Sequence, residues 1–139
     1  MTQTDDSSGI RFHMVASAPE PVAPFSHATE CGPWIFVTGQ MPTFPGEPDR
    51  PVPEGIEAQT HQVMANLAVV LAGLGLGWSD VARAGAYLTH FEEDYAAFNA
   101  VYRSYFPAGR LPARTCIGVT ALAKSARVEI DLIAVRPAG

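Results

Sequence analysis

Three residues in two strand-like segments near the end of the chain are of types that could do chemistry. Arg114 and Cys116 belong to the segment LPARTCIGV, and Glu129 lies in the apolar segment VEIDLIAV. An arginine can grip a carboxylate through two hydrogen bonds, although at the start of a strand it can also simply be solvated. A glutamate in apolar surroundings can hold or deprotonate a water molecule, its pKa being raised by desolvation, although it can also be a solvated edge residue or part of an interface ion pair.

The other candidate residues give weaker signals. Cys116 lies two residues after Arg114 on the same strand face, without a histidine nearby in sequence, which favours a small buried hydrophobe over an activated thiolate. Gly39 follows the apolar run WIFVT, where a glycine either turns the chain or lets a ligand approach the backbone. The four histidines have no metal-ligand spacing, and we expect each to be structural: His13, His27, His61 and His90.

The composition is that of an acidic, moderately apolar chain. Its 139 residues argue for a single domain over residues 1–139. The net charge of −5 and the lack of a basic stripe weigh against nucleic acid as the main ligand, and no apolar run is long enough to span a membrane. Two cysteines are too few for a disulfide framework, and the first residues lack an apolar signal core, so we expect a cytoplasmic protein.

Hydrophobic periodicity predicts an α+β domain. Residues 1–9 are expected to be a loose tail, and the five prolines of 41–55 predict a loop. Two helices are predicted over 56–76 and 91–105, and the second has an aromatic stripe that is more typical of a core than of a cofactor site. Strands are predicted within 11–17, 25–31, 32–40, 78–90, 114–121 and 127–135. This order predicts a mixed six-stranded sheet with both helices on one face.

The last predicted strand is apolar on both faces, which indicates a partner. Its first face consists of Val128, Ile130, Leu132 and Ala134, and the opposite face of Glu129, Asp131, Ile133 and Val135. The first face is expected to lie under the helices, and two helices are too few to cover the second as well. Because a face open to water rarely needs both isoleucine and valine, another copy of the chain is the simplest cover.

Five segments, in order along the chain, resemble those of the Rid family, also called YjgF-type or reactive-intermediate deaminases. They are APFSHA, FVTGQMP, DYAAFNAVYRSYF, PARTCIGV and VEIDLIAV. The resemblance implies a chorismate-mutase-like α+β fold and a homotrimer with active sites in clefts between subunits. It also implies hydrolysis of small 2-imino and enamine acids, such as 2-aminoacrylate and its imine tautomer, to 2-keto acids and ammonia, with no metal and no organic cofactor.

The resemblance implies roles for individual residues. Arg114 matches the arginine that binds the substrate carboxylate, and Glu129 matches the glutamate that positions the attacking water. Cys116 matches a cysteine that lines the cleft, where its backbone matters more than its thiol. Gly39 matches the glycine beside the ligand, and Asn99 the asparagine of the helix motif.

The chain departs from the family pattern at three places. Phe25 stands where the family usually has tyrosine, although the position itself is expected to line the substrate site. Gly118 stands where many members have glutamate, and the proline-rich loop after Gln40 lacks the usual D-P-x-T-G. These departures concern the choice of substrate more than the type of reaction.

Two other functions stay open at this stage. The first is a non-catalytic module that binds a small carboxylate in the same intersubunit cleft. The second is a ribonuclease, an activity once attached to the family by name, which the net charge of −5 disfavours.

Overall fold

The computed structural model describes residues 2–5 and 9–138, with side chains described for 9–138. Helices α1 (Ile56–Gly73) and α2 (Phe91–Arg103) pack on one face of a mixed sheet. The strands are β1 (Thr2–Asp5), β2 (Ile10–Met14), β3 (Ala28–Cys31), β4 (Trp34–Gln40), β5 (Val81–Leu88), β6 (Ala113–Gly118) and β7 (Val128–Val135). The predicted α+β class, the mixed sheet and the two helices are confirmed.

The order of strands across the sheet is β1-β2-β3-β4-β7-β5-β6. Strands β5 and β6 run parallel, and every other neighbouring pair among the described residues is antiparallel. The sheet has seven strands, one more than predicted, because Thr2–Asp5 pairs with β2 where the sequence predicts a loose tail. An edge strand can be held by its backbone ladder, which leaves no hydrophobic pattern in the sequence. The tail prediction for residues 1 and 6–8 lies outside the described residues.

Helix α1 ends three residues earlier than its apolar pattern predicts. The N–H of Leu76 donates to the carbonyl of Leu71, and the N–H of Gly75 donates to that of Ala72. This pairing, with Gly75 at a φ of 76°, terminates the helix in the left-handed turn that glycine favours. Leu76 is still buried beyond the helix end, which is why the hydrophobic pattern continues past it.

The two faces of β7 differ as predicted. Val128, Ile130, Leu132 and Ala134 are fully buried beneath the helices, whereas the alternate residues of the strand are half-buried. On the second face, Trp34 and Phe36 of β4 lie opposite Val135 and Ile133 of β7. Large apolar side chains are exposed on this face: Phe12 (39%), Trp34 (49%) and Phe36 (46%).

Three of the four histidines have partners within the fold, as expected of structural residues. His13 bonds the buried carboxylate of Glu30 at 2.9 Å, and His27 accepts from the Val15 N–H at 2.8 Å. His61 bonds the hydroxyl of Tyr105 at 2.6 Å. Across the described residues, no three histidine, cysteine or acidic side chains cluster in a way that could hold a metal ion. No described helix is long and apolar enough to cross a membrane.

Candidate active site

Arg114 and Cys116 lie on the helix-facing side of the edge strand β6. In the parallel pairing with β5, Arg114 lies beside Ala84 and Cys116 beside Ala86, and both alanines are fully buried under the helices. The guanidinium of Arg114 therefore meets helix α2. Its Nη1 donates to Oδ1 of Asn99 at 2.8 Å, so the two residues that the family resemblance places at the site are in contact.

Three aromatic rings of α2 surround the Arg114 guanidinium. Its central carbon lies 5.9 Å from the ring centre of Tyr95, 5.5 Å from that of Phe98 and 4.9 Å from that of Tyr102. Aromatic faces attract a cation without neutralising it. Phe98 and Tyr102 are buried, so these residues of the aromatic stripe are part of the core as predicted. Tyr95, Phe98 and Tyr102 together also form an aromatic cradle around the Arg114 cation. The contact of Tyr95 and Tyr102 with Arg114 was not predicted, and their spacing on one helix face was the available signal.

A cavity of about 300 Å³ opens in front of Arg114. Its lining consists of Tyr95, Asn99, Tyr102, Arg103, Leu111, Pro112 and Arg114. Within residues 9–138 no carboxylate pairs with Arg114, whereas Arg127 is paired with Asp94 and Arg136 with Glu30. A half-buried guanidinium with free donors in a cavity is suited to bind an anionic group from outside the chain.

Cys116 lies two residues from Arg114 and packs against the hydrophobic core. Burial raises the pKa of its thiol, and the positive charge of Arg114 only partly opposes this effect. The thiol therefore stays protonated near neutral pH. This state argues against Cys116 as a nucleophile. Cys116 is not among the residues that line the cavity in front of Arg114, and its place at the substrate stays a prediction.

Glu129 lies on the second face of the sheet, beside Gly39. A Cβ atom at Gly39 would approach the Cδ of Glu129 to 3.0 Å and collide with its carboxylate, so any other residue here would make the Glu129 carboxylate move. Burial raises the pKa of Glu129, and the negative charge of Asp131 on the same strand face raises it further. The glutamate is therefore poised to accept a proton closer to neutral pH than an exposed one.

A broad cavity of about 690 Å³ lies on the same face. Phe25 and Gly39 both line it, and Glu129 contacts Gly39 at its border. That these three residues belong to a substrate site stays a prediction. Tyr87 and Asp131 also line this cavity, and the Tyr87 hydroxyl donates to Asp131 at 2.8 Å. Neither residue was predicted to lie at the site, although Asp131 follows Glu129 on the same strand face.

Gly118, which stands where many members of the resembling family have glutamate, lies at the end of β6 beside α2. A Cβ atom there would lie 3.2 Å from the Cβ of Phe91, tighter than ordinary packing allows. The structure thus gives a steric reason for glycine at this position. Any other residue would require Phe91, at the start of α2, to give way by a few tenths of an ångström.

The candidate residues form two groups on opposite faces of the sheet. Arg114, Asn99 and Cys116 lie between β6 and α2, and the group with Glu129 lies on the face without helices. Strand β5 separates β6 from β7. A single copy of the chain therefore does not bring Arg114 and Glu129 together around one small ligand.

Comparison with known proteins places the chain among relatives of similar length. A RutC family protein of Synechocystis sp. is 38% identical over 128 residues, which cover 92% of this chain and 98% of the relative. A 2-iminobutanoate/2-iminopropanoate deaminase of Capra hircus is 33% identical over 126 residues, covering 91% of this chain and 90% of the relative.

A solved structure and a family model lead to the same family as these relatives. The crystal structure of E. coli TdcF with bound serine superposes with a TM-score of 0.81 at 26% identity, covering 90% of this chain and 99% of that one. Residues 15–136 match the family model described as Endoribonuclease L-PSP. The match spans nearly all of the described chain, and the protein therefore belongs to the endoribonuclease L-PSP family, which includes the YjgF and RutC proteins.

Proposed function

We propose that the protein hydrolyses small 2-imino and enamine acids of the 2-aminoacrylate type to 2-keto acids and ammonia. The observation that carries this proposal is the half-buried Arg114 guanidinium, which faces a cavity without a carboxylate partner in the described chain. The relatives add support, since one is named a 2-iminobutanoate/2-iminopropanoate deaminase and another was crystallised with serine, which carries a carboxylate.

The proposed reaction needs orientation and proton transfer more than covalent catalysis. Arg114 binds the substrate carboxylate, while Asn99 and the aromatic cradle hold the guanidinium in place. The imine carbon is already electrophilic, so a positioned water can attack it directly. Glu129 accepts a proton from this water as the carbon–oxygen bond forms, and returns a proton to the nitrogen as ammonia leaves. We expect Cys116 to border the assembled site without a covalent role, and no metal or organic cofactor enters the scheme.

Arg114 and Glu129 lie on opposite faces of the sheet. A site that uses both residues therefore takes them from two copies of the chain. We propose a homotrimer in which the Arg114 edge of one copy meets the Glu129 face of the next. The exposed Trp34 and Phe36 give that face an apolar surface suited to a partner. Light scattering after size exclusion should give three times the chain mass of 14.8 kDa. A monomer at micromolar concentration would rule out the shared site.

The test of the reaction uses imino acids made freshly by an amino-acid oxidase. The parent protein should accelerate release of keto acid and ammonia, and Glu129→Gln should lower turnover by roughly 10²–10⁴-fold with the oligomer intact. The amide keeps the shape of the side chain but cannot take the proton. Binding of a small carboxylate without faster ammonia release would instead support a non-catalytic binding module.

The family description also names an endoribonuclease, which makes RNA cleavage the rival to exclude. Binding to RNA relies on cationic contacts with phosphates, and the chain carries a net charge of −5. We therefore propose the deaminase and not the nuclease, with no membrane partner and with action in the cytoplasm, where the free Cys31 and Cys116 would stay reduced. Incubation with labelled RNA under the same conditions is the matched control.

A further inference from the structure

Two carboxylates share the second face of strand β7, and each lies over a glycine of a neighbouring strand. The Glu129 side chain packs over Gly39 of β4, and the Asp131 side chain packs over Gly85 of β5. A Cβ at Gly85 would collide with the Asp131 carboxylate and come within 3.0 Å of the Tyr87 hydroxyl. The sheet therefore makes room for two acidic groups, two residues apart, on the same face.

The second carboxylate is held in a fixed position. Tyr87 lies opposite Glu129 in the pairing of β5 with β7, and its hydroxyl reaches along the strand to donate to Asp131 at 2.8 Å. The hydrogen bond to Asp131 is the main reason that the pKa of Tyr87 is raised, so the phenol keeps the proton that it donates. Asp131 is thereby anchored as a hydrogen-bond acceptor beside the cavity.

The charged groups around Glu129 are few. On β7 itself the neighbour is Asp131, and on β5 the facing groups are Tyr87 and the exposed Arg83. On β4 the nearest residue is Gly39, and none of the residues of that strand is titratable. No helix covers this face in the described part of the chain, so Asp131 is the one fixed negative charge that Glu129 meets within its own chain.

We propose that Asp131, anchored by Tyr87 over Gly85, is a positioning residue that sets the pH range in which Glu129 can take a proton. The importance of Asp131 for catalysis rests on the proposed deaminase function. Its effect on the ionisation of Glu129 does not, because it follows from the positions of the two carboxylates on β7. Burial is the larger cause of the raised pKa of Glu129, and the negative charge of Asp131 on the same strand face raises it further because it disfavours ionisation. In this proposal Asp131 acts through Glu129.

The experiment measures the ionisation of Glu129 in two independent ways. The first is the pH profile of kcat/KM on an imino acid, for the parent, Asp131→Asn and Asp131→Glu. The second is carbon NMR of side-chain carboxyls in protein labelled at glutamate, with the Glu129 signal assigned by its loss in Glu129→Gln. Tyr105→Phe, which removes a phenol bonded to His61 elsewhere, serves as the matched control for Tyr87→Phe.

Asp131→Asn should move both the acid limb of the profile and the NMR titration of Glu129 to lower pH, by on the order of half to one pH unit. Asp131→Glu keeps the charge and should restore most of the parent behaviour. Tyr87→Phe should give a smaller shift because Asp131 loses its anchor, and Tyr105→Phe should give none.

The two proposals fail in distinguishable ways. An unchanged NMR titration in Asp131→Asn, with folding and oligomer intact, would overturn the role of Asp131 whatever the activity. A shifted titration in a protein that never releases keto acid would keep the electrostatic role and overturn the deaminase. If Asp131→Asn does not fold, Tyr87→Phe still decides the matter, since a purely structural role would alter stability without moving the titration.

Discussion

Replacement of Arg114 removes the proposed anchor of the substrate. The guanidinium has five N–H donors, of which one bonds Asn99 at 2.8 Å and another reaches the Tyr95 hydroxyl at 3.4 Å. Three donors remain, which is enough for bidentate hydrogen bonding to a carboxylate. Loss of one member of a buried charge pair costs about 2–5 kcal/mol, and the half-buried position of Arg114 favours the lower part of this range.

The expected loss for Arg114→Ala is therefore about 30- to 150-fold in kcat/KM, which corresponds to about 2–3 kcal/mol at about 1.4 kcal/mol per decade. Arg114→Lys keeps a cation over the aromatic rings but loses the planar fork, so it should recover only part of the activity. Arg110→Ala is the matched control, because Arg110 is exposed and bonds the Ser79 carbonyl outside both cavities.

The decisive comparison uses two substrates, an imino acid and an uncharged imine. An imine without a carboxylate gains nothing from Arg114, so Arg114→Ala should process it almost as well as the parent. Initial rates of carbonyl product would be measured for each variant, with the oligomer checked by light scattering. An equal loss on both substrates would show that Arg114 supports the structure, and the carboxylate-binding argument would be refuted.

Three further substitutions test the site. Cys116→Ser should keep a large share of the turnover because the protonated thiol is not a nucleophile, and a loss of several orders of magnitude in an intact oligomer would contradict this. Gly39→Ala should lower kcat by about 10²-fold, since the new Cβ displaces the Glu129 carboxylate, and unchanged kcat would refute the close approach. Asn99→Ala should raise KM about 3- to 10-fold because the Arg114 guanidinium loses an acceptor, whereas a loss confined to kcat would argue against this role.

The sequence predicted the elements of the fold well because hydrophobic periodicity reports burial directly. Alternation along β7 correctly placed Glu129 on the face away from the helices. Strand β1 and the early end of α1 were missed, since an edge ladder and a glycine turn are backbone effects that leave little trace in a hydrophobic pattern.

The partners within the site were harder to predict. The contact of Arg114 with Asn99 depends on how α2 packs over β6, which no local pattern encodes. The family resemblance supplied these residues, but it did not show which face Arg114 occupies. That depends on the pairing of β6 with β5, and only the register revealed that the Arg114 group and Glu129 lie on opposite sides.

The division of the candidate residues between two faces has a genetic consequence. In the proposed trimer each site takes Arg114 from one copy and Glu129 from its neighbour, so a chain with Arg114→Ala and a chain with Glu129→Gln carry different defects. When equal amounts of the two assemble at random, about a quarter of the sites receive both intact residues. Two alleles that are each strongly impaired alone should therefore complement one another in a cell that expresses both.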